Sequence, residues 1–263
     1  MSYLVVPKIT GDCTKPPIPE QYHYVEGKWN DGLVIQDESY NQFVWVPVGA
    51  LPKNGNPYAR AGSVHCDHQF GRRVEWFEYY YEDTRDETRK KQYESVGKYG
   101  GFYISRFTNS KSANGLPASV RGKKPWELYF QEALIAAQKI GQGKVQSHLL
   151  YGSEFDSIIE FAKLTGTSQY ELEEDSTKLG NYKNSEGSLG KIAATGSNES
   201  WCFNRIYDLA GNVLEHTQER GRSNCHLKRG GNCSLKGDGF PVAYRVRYEM
   251  VGSGGFRSAL CIE

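Results

Sequence analysis

The fold of this chain is decided by one stretch, Asn204-Arg205-Ile206-Tyr207-Asp208-Leu209-Ala210-Gly211-Asn212-Val213-Leu214-Glu215-His216. It opens with a strand-like run and continues into a Gly-Asn pair, residue types that accept the backbone of a tight turn. Glu215 is the acid behind that turn. Two further landmarks follow downstream, Arg229-Gly230-Gly231 and Gly255-Phe256-Arg257.

Composition excludes several classes of protein. The chain has 263 residues, of which 38% are hydrophobic, and its formal net charge is +1. Such a chain can bury a sizeable core, and its charge gives no electrostatic case for binding nucleic acid. No apolar run approaches the length that spans a bilayer, so we expect no membrane insertion. The N-terminus lacks the pattern of a signal peptide, which predicts a cytoplasmic or virion-associated protein.

Six cysteines lie at positions 13, 66, 202, 225, 233 and 261. None belongs to a Cys-x-x-Cys pair, which excludes a zinc ribbon and a thioredoxin motif. Because we expect no secretion signal, we expect reduced thiols. Cys202, Cys225 and Cys233 fall in one region and would pair only in an oxidising compartment.

Hydrophobic patterning predicts one domain, residues 33–263, preceded by an extended arm, residues 1–32. The arm contains Thr14-Lys15-Pro16-Pro17-Ile18-Pro19, which cannot form a helix or a central strand. Within the domain, Leu33-Val34-Ile35 and the run Phe43–Val48 are separated by polar residues, a pattern typical of a hairpin. Further short strands are expected along the chain.

Two amphipathic helices are predicted. The first is expected to open at Lys124-Pro125-Trp126, because proline is tolerated in a first turn, and to end at Gly141. The second is expected to have Ser153 as its N-cap and Gly166 beyond its end. A charged segment, residues 75–94, favours a solvated helix or an insertion.

Asp208-Leu209-Ala210-Gly211-Asn212-Val213 is similar to the D-L-A-G-N-V-W-E-W motif of the formylglycine-generating enzyme family, a branch of the C-type lectin fold. The other stretches that resemble this family, in its order, are Phe43–Pro47, Gly101–Ile104, Leu149–Ala162, Arg229–Gly231 and Gly255–Arg257. The resemblance covers residues 33–263. It implies an α+β, C-type-lectin-like fold with small twisted antiparallel sheets, two helices, long irregular loops and a C-terminal strand paired inside the body.

The resemblance also implies where the family's chemistry would lie. Those enzymes oxidise a protein cysteine with copper and a cysteine pair, at two fixed positions after the arginine of the Arg-Gly-Gly landmark. The matching positions here are Leu235 and Phe240, which neither bind a soft metal nor act as thiolates. Cys233 is out of register. We therefore expect no catalytic residue, no copper and no enzyme activity, and the alternative is a formylglycine-generating-type oxidase.

In the same family the Gly-Asn turn holds a structural calcium. The ligands that the resemblance implies are Asp208, Gly211, Val213 and Glu215. Hard oxygen ligands around a glycine turn suit calcium. The alternative is that Asp208 and Glu215 cap the turn by accepting hydrogen bonds from backbone N–H groups.

A chemically mixed run replaces the catalytic cleft between Ser223 and Ser253. It holds no triad and no acid–base pair, and its Tyr, Arg, His, Phe and Asn residues suit a recognition surface. It resembles the variable proteins of diversity-generating retroelements, which display a mutable patch on this fold. The predicted ligand-binding residues are His226, Asn232, Ser234, Leu235, Phe240, Val242, Tyr244, Arg247 and Tyr248. The alternative is a core strand region in which Leu235 and Val246 are buried.

These features predict a non-catalytic protein that recognises a protein or glycan ligand through the C-terminal patch. It would act as a retroelement-diversified binder or in a prophage tail. A further hypothesis is a structural subunit whose Pro-rich arm, residues 14–19, docks on a phage partner or on another copy of the chain.

Overall fold

The computed structural model describes residues 9–49, 87–141, 143, 145–188, 190–220, 226–246 and 252–263, together with the backbone of 65–67 and 72–74. Its strands are β1 (Tyr22–Glu26), β2 (Val34–Asp37), β3 (Gln42–Pro47), β4 (His65–Asp67), β5 (Arg72–Val74), β6 (Gly101–Ser105), β7 (Ser110–Lys111), β8 (Pro117–Ala118), β9 (Val145–Leu149), β10 (Cys202–Phe203), β11 (Ile206–Tyr207), β12 (Glu215–Arg220), β13 (His226–Arg229), β14 (Arg245–Val246), β15 (Gly255–Phe256) and β16 (Ser258–Ile262). Its helices are α1 (Glu87–Tyr99), α2 (Phe130–Ala137), α3 (Gly152–Leu164) and α4 (Gln169–Glu173), with a 3-10 turn at Glu199–Trp201. The predicted α+β class is confirmed.

The largest sheet has six strands in the order β1-β2-β3-β6-β16-β9. All of its neighbouring strands are antiparallel. The predicted hairpin is confirmed, because Ile35 of β2 pairs with Phe43 of β3. The C-terminal strand β16 lies inside the sheet, where Leu260 pairs with Tyr103 on one side and with Ser147 on the other.

Both faces of this sheet are covered by apolar clusters. Successive residues of a strand point to opposite faces, so Val44 and Val46 of β3 join one cluster while Phe43 and Trp45 join the other. Helix α3 packs on the first face. On the second face, the rings of Trp45 and Tyr103 meet edge to face with centroids 5.0 Å apart. The core therefore has two layers, one on each side of the sheet.

The first predicted helix begins later than its sequence indicates. Helix α2 starts at Phe130 and not at the Lys-Pro-Trp segment. The backbone N–H of Trp126 instead donates to Asn109, and Leu128 exchanges backbone hydrogen bonds with Gly254. Pairing with distant backbone therefore outweighs the local helix signal, and the predicted start is wrong.

The second predicted helix is present, but its N-cap differs. Helix α3 begins at Gly152 with Tyr151 as N-cap, so Ser153 lies inside the first turn and its predicted role is wrong. The carboxylate of Glu154 accepts the backbone N–H of Tyr151 at 2.9 Å, which closes the helix start. Beyond the other end, Gly166 has a φ of 111°, as expected for a residue that stops a helix.

Helix α1 belongs to the body of the protein. Its residues Arg89, Gln92, Ser95, Val96 and Gly97 are buried, and it packs against β6 and β16. The expected solvated helix is therefore solvated on one face only, and the part of the prediction that falls on residues 75–86 lies outside the described residues.

The described part of the predicted arm lies against the domain. Strand β1 pairs with β2 at the edge of the main sheet. Before it, the backbone carbonyl of Cys13 accepts the indole N–H of Trp45 at 3.1 Å. None of the helices in the described ranges has the length and apolar character that a membrane crossing needs.

Candidate functional site

The three sequence landmarks meet in a second sheet, with strand order β14-β13-β12-β15. Glu215, at the start of β12, lies opposite Arg229 of β13 and, on its other side, opposite Gly255 of β15. The first pairing is antiparallel and the second is parallel. Segments that are distant in the sequence therefore form one site.

The side chain of Arg257 joins these landmarks to the main sheet. Its Nε lies 2.9 Å from both carboxylate oxygens of Glu215. Its other nitrogens donate to the backbone carbonyls of Ser105, Arg106 and Tyr207. Burial raises the pKa of Glu215, and the guanidinium and the Thr108 hydroxyl oppose that rise. The buried pair links the Gly-Asn turn to the start of β16.

The Gly-Asn turn is fixed by its backbone conformation and by one side chain. Gly211 and Asn212 have φ values of 69° and 57°, in the left-handed region that these residue types accept. The Asn212 Oδ1 accepts the Ala193 N–H at 2.8 Å and the Asn181 Nδ2–H at 3.1 Å. The Gly211 N–H donates to the carbonyl of Gly230 at 2.6 Å. The turn is thus locked to the Arg-Gly-Gly segment.

Only some of the predicted calcium ligands have an oxygen that could bind an ion. One carboxylate oxygen of Asp208 accepts a backbone N–H at 2.7 Å, whereas the other is buried without a hydrogen-bond partner. Burial raises the pKa of Asp208 to about 6. Glu215 does not fit, because both of its oxygens already accept from Arg257. Gly211 and Val213 are buried in the same turn and could bind an ion only through their backbone carbonyls. Calcium binding therefore stays a prediction, and it depends on Asp208 and these carbonyls.

A buried ion cluster closes the base of the predicted patch. Arg229 lies 2.9 Å from Asp156 and 3.0 Å from Glu219. Arg245 contacts the same two acids, with its Nε 2.6 Å from Glu219, and all four side chains are at most 4% exposed. Arg229 also pairs with Arg245 across β13 and β14. The 230–244 loop therefore starts and ends beside this cluster, because Arg229 is the last residue of β13 and Arg245 is the first residue of β14.

Main-chain hydrogen bonds hold the 230–244 loop on the body. The Val242 N–H donates to the Ser176 hydroxyl at 2.8 Å. The Leu235 carbonyl accepts the Lys183 N–H, also at 2.8 Å. Because backbone groups make these contacts, most side chains of the loop are not needed to hold it.

Five of the predicted ligand-binding residues reach the surface of this loop. Ser234 is exposed, and Asn232, Leu235, Phe240 and Tyr244 are half-buried. The Asn232 Oδ1 accepts the N–H groups of Ser234 and Leu235 at 2.9 and 3.1 Å, which makes an Asx turn. The rings of Phe240 and Tyr244 pack edge to face, with centroids 5.0 Å apart. The loop therefore presents polar, apolar and aromatic side chains at the surface.

The other predicted ligand residues have different positions. Val242 is fully buried in the main core, so its assignment to the surface is wrong: its side chain packs inward while its backbone anchors the loop. His226 is half-buried and stacks on Phe130, with ring centroids 3.5 Å apart, so it faces α2. Arg247 and Tyr248 lie outside the described residues.

Sequence reasoning missed the ion cluster. It took Arg229 as a landmark without a partner, gave Asp156 only a place in the first turn after the Ser153 N-cap, and assigned no ion pair to Glu219 or Arg245. Asp156 lies beside the apolar stripe of a predicted helix, and a carboxylate buried there requires a cation. That signal indicates that a partner exists, but not which arginine provides it.

No protein-family model matches the chain, and no curated protein matches it significantly in sequence. Its function therefore has to be inferred from its own residues and geometry.

Proposed function

We propose that this chain is a non-catalytic binding protein of C-type-lectin-like fold that recognises a protein or glycan ligand through the 230–244 loop. The observation that carries the proposal is that both ends of the loop are held by buried ion pairs while several of its side chains face solvent. Arg229 and Arg245 are buried on the same two acids, whereas Ser234, Phe240 and Tyr244 lie towards solvent. Binding residues commonly lie on loops positioned by a rigid scaffold.

The fold part of the proposal is supported by the path of the C-terminal strand. The resemblance to the formylglycine-generating enzyme family implies that this strand pairs inside the body. Strand β16 does so, between β6 and β9. The Gly-Asn turn, the Arg-Gly-Gly segment and the Gly-Phe-Arg segment also lie together, as expected if all three belong to one inherited site.

The chemistry of the loop suits recognition. Phe240 and Tyr244 provide an aromatic pair with little conformational freedom, and Ser234, Lys236 and Asp238 are exposed polar residues of the same loop. Aromatic anchors with a polar rim are typical of protein-binding surfaces. Since backbone groups hold the loop, its exposed side chains can change without loss of the fold, which suits a retroelement-diversified patch.

The proposal predicts that removing the two rings abolishes binding but not folding. We expect the double variant Phe240→Ala/Tyr244→Ala to lose about tenfold or more affinity for any probe that the native chain selects from a glycan array or a displayed peptide library. Tyr170→Ala is the matched control, because this aromatic side chain is 64% exposed on α4. Binding is measured by titration and folding by thermal melting.

Two results would contradict the proposal. One is a double variant that binds as well as the native chain. The other is copper-dependent turnover of a cysteine peptide that disappears in Cys233→Ser, which would favour the formylglycine-generating-type oxidase. Cys233 is only 7% exposed, and the positions matching the family's cysteines are Leu235 and Phe240, so we expect no such turnover.

A further inference from the structure

A thiol, an imidazole and a carboxylate lie in a row on the side of the main sheet that α1 covers. The Sγ of Cys261 in β16 lies 3.5 Å from the Nδ1 of His148 in β9. The Nε2 of His148 lies 3.0 and 3.1 Å from the two oxygens of Glu154 in α3. The three side chains are 3%, 1% and 0% exposed, in that order. This order of groups is the one that activates a cysteine nucleophile in enzymes.

The carboxylate of Glu154 is held in place from several sides. It accepts the Tyr151 N–H at 2.9 Å and the Gln92 amide at 2.8 Å. Burial raises the pKa of Glu154, but His148, the hydrogen bond from the Tyr151 N–H and Arg89 lower it overall. Glu154 is therefore charged, and it fixes the orientation of the His148 ring.

The charge on His148 follows from its neighbours. Burial lowers the pKa of His148, but Glu154 and Cys261 outweigh burial and raise it to about 10. The ring is thus protonated at neutral pH, with one N–H directed at Glu154 and the other at Cys261. A cationic imidazole beside a thiol stabilises the thiolate, which is the nucleophilic form.

A surface pocket lies beside Cys261. Its volume is about 240 Å³, and Cys261 lines it. Its charged lining residues are Lys91, Glu94, Lys98 and Glu263, two basic and two acidic. Lys91 also pairs with Glu263 at 3.5 Å. Because the lining is balanced in charge and Cys261 is only 3% exposed, the pocket favours a small, uncharged reagent.

We propose that Cys261 is a nucleophilic cysteine that reacts with peroxides through this pocket. The thiolate sulfur attacks one oxygen of hydrogen peroxide, an S–O bond forms and the O–O bond breaks. The departing hydroxide takes the proton that His148 holds on Nδ1 and leaves as water. The sulfur loses two electrons and becomes a sulfenic acid, while the peroxide is reduced. Glu154 is the positioning residue, since it acts on the sulfur only through His148.

The native chain provides the first test. The protein is treated with hydrogen peroxide, sulfenic acids are trapped with dimedone, and each cysteine peptide is quantified by mass spectrometry. We expect Cys261 to be labelled about tenfold or more faster than Cys13 and Cys233, although each of these is 7% exposed and Cys261 only 3%. Among the four cysteines whose side chains the structure describes, accessibility alone predicts that half-buried Cys202 reacts first. Labelling of Cys202, Cys13 or Cys233 at the rate of Cys261 or above would overturn the proposal.

Two variants separate activation from packing. His148→Gln should slow labelling of Cys261 about tenfold or more, while labelling of Cys13 stays at its native rate. Glu154→Gln should slow it as well, and should move the titration of the His148 ring, followed by NMR, to lower pH. Unchanged Cys261 labelling in His148→Gln would contradict the proposal. Faster labelling of Cys13 in a variant would show that its fold has loosened. The proposal is then judged on the relative labelling rates of the cysteines in the native chain.

Discussion

At the scale of single residues, Asp208 separates the two interpretations of the Gly-Asn turn. Its carboxylate is fully buried and one of its oxygens has no hydrogen-bond partner. Burial is the main reason that its pKa rises from 3.8 to about 6. The folded protein therefore holds a proton on Asp208 that the unfolded chain releases. The stability that this protonation gives is complete below about pH 4 and is lost as pH rises through about 6.

A neutral side chain at this position should remove that loss. In the presence of chelator, we expect the unfolding free energy of Asp208→Asn, relative to the native chain, to increase by about 3 kcal/mol between pH 4 and pH 7.5. Asparagine also accepts the φ of 55° found at this residue. The measurement is denaturant unfolding at several pH values. If the difference in unfolding free energy between the variant and the native chain does not change with pH, the pKa of Asp208 is not raised by folding and the prediction is wrong.

The same variant distinguishes calcium binding from capping. If Asp208 binds calcium together with the carbonyls of Gly211 and Val213, added calcium raises the melting temperature of the native chain but not of Asp208→Asn. Equal melting temperatures of the native chain with calcium and with chelator would leave Asp208 as a capping residue, whose carboxylate accepts the Gly196 N–H. Glu215 gives no separate test of the ion, because its pairing with Arg257 makes any substitution destabilising.

Sequence reasoning identified this turn but not its partners. Asp208, Gly211 and Glu215 are close in the sequence, so their pattern predicts a turn with acids around it. The Glu215–Arg257 bond joins residues that are distant along the chain. A single sequence does not specify which of its many arginines will meet a given acid. Local backbone conformation was therefore predictable here, whereas charge pairing was not.

At the scale of elements, the position of a helix was easier to predict than its first residue. The apolar stripes of α2 and α3 identify both helices, because a spacing of three and four residues marks one buried face. The start of α2 depends on tertiary contacts, because Trp126 and Leu128 bond to distant backbone, and these contacts leave no mark in the local pattern. The start of α3 is closed by a local contact, from the Tyr151 N–H to Glu154 three residues on. The same carboxylate also contacts His148.

The ion cluster beneath the 230–244 loop allows a prediction about β12 and β13. Glu219→Gln keeps the shape of the side chain but leaves Arg229 and Arg245 with a single acid. Removing one partner from a buried ion pair leaves an uncompensated charge, so we expect the unfolding free energy to fall by about 3–5 kcal/mol. We also expect faster amide hydrogen exchange within residues 231–241, because the base of the loop is loosened.

The control for this prediction is Glu199→Gln. Glu199 pairs with Arg121, but its side chain is 68% exposed. Exposed pairs contribute only about 0–1 kcal/mol, so this variant should melt close to the native chain. Similar losses in the two variants would show that the buried cluster has no special role in holding the loop.

At the scale of the whole molecule, the main sheet gathers strands from both ends of the chain. Strand β1 comes from the predicted arm and β16 from the C-terminus, and β16 lies in the interior of the sheet. Hydrophobic patterning predicted the β2–β3 hairpin because its two strands are adjacent in sequence. It did not predict that the Pro-rich segment would be followed by an edge strand, because the polar and aromatic residues Tyr22–Glu26 have no clear alternation.

The edge position of β1 predicts that the arm stabilises the domain. Removing residues 1–30 uncovers the edge of β2 and takes away Tyr22, which is 6% exposed and packs edge to face on Phe43 with centroids 5.8 Å apart. Exposed strand edges pair with other chains. We therefore expect the truncated protein to unfold at lower denaturant concentration and to self-associate, as measured by denaturant titration and light scattering.

Two point variants on β1 decide whether packing is the cause. Tyr22→Ala should lower the unfolding free energy by about 3 kcal/mol, whereas Tyr24→Ala should change it by no more than about 0.5 kcal/mol, because Tyr24 is 52% exposed. A structural subunit that docks through its arm predicts the reverse for the truncation: a stable monomer that no longer assembles. That result, together with equal effects of Tyr22→Ala and Tyr24→Ala on the unfolding free energy, would show that β1 does not stabilise its own domain. The arm would then be assigned to binding a partner.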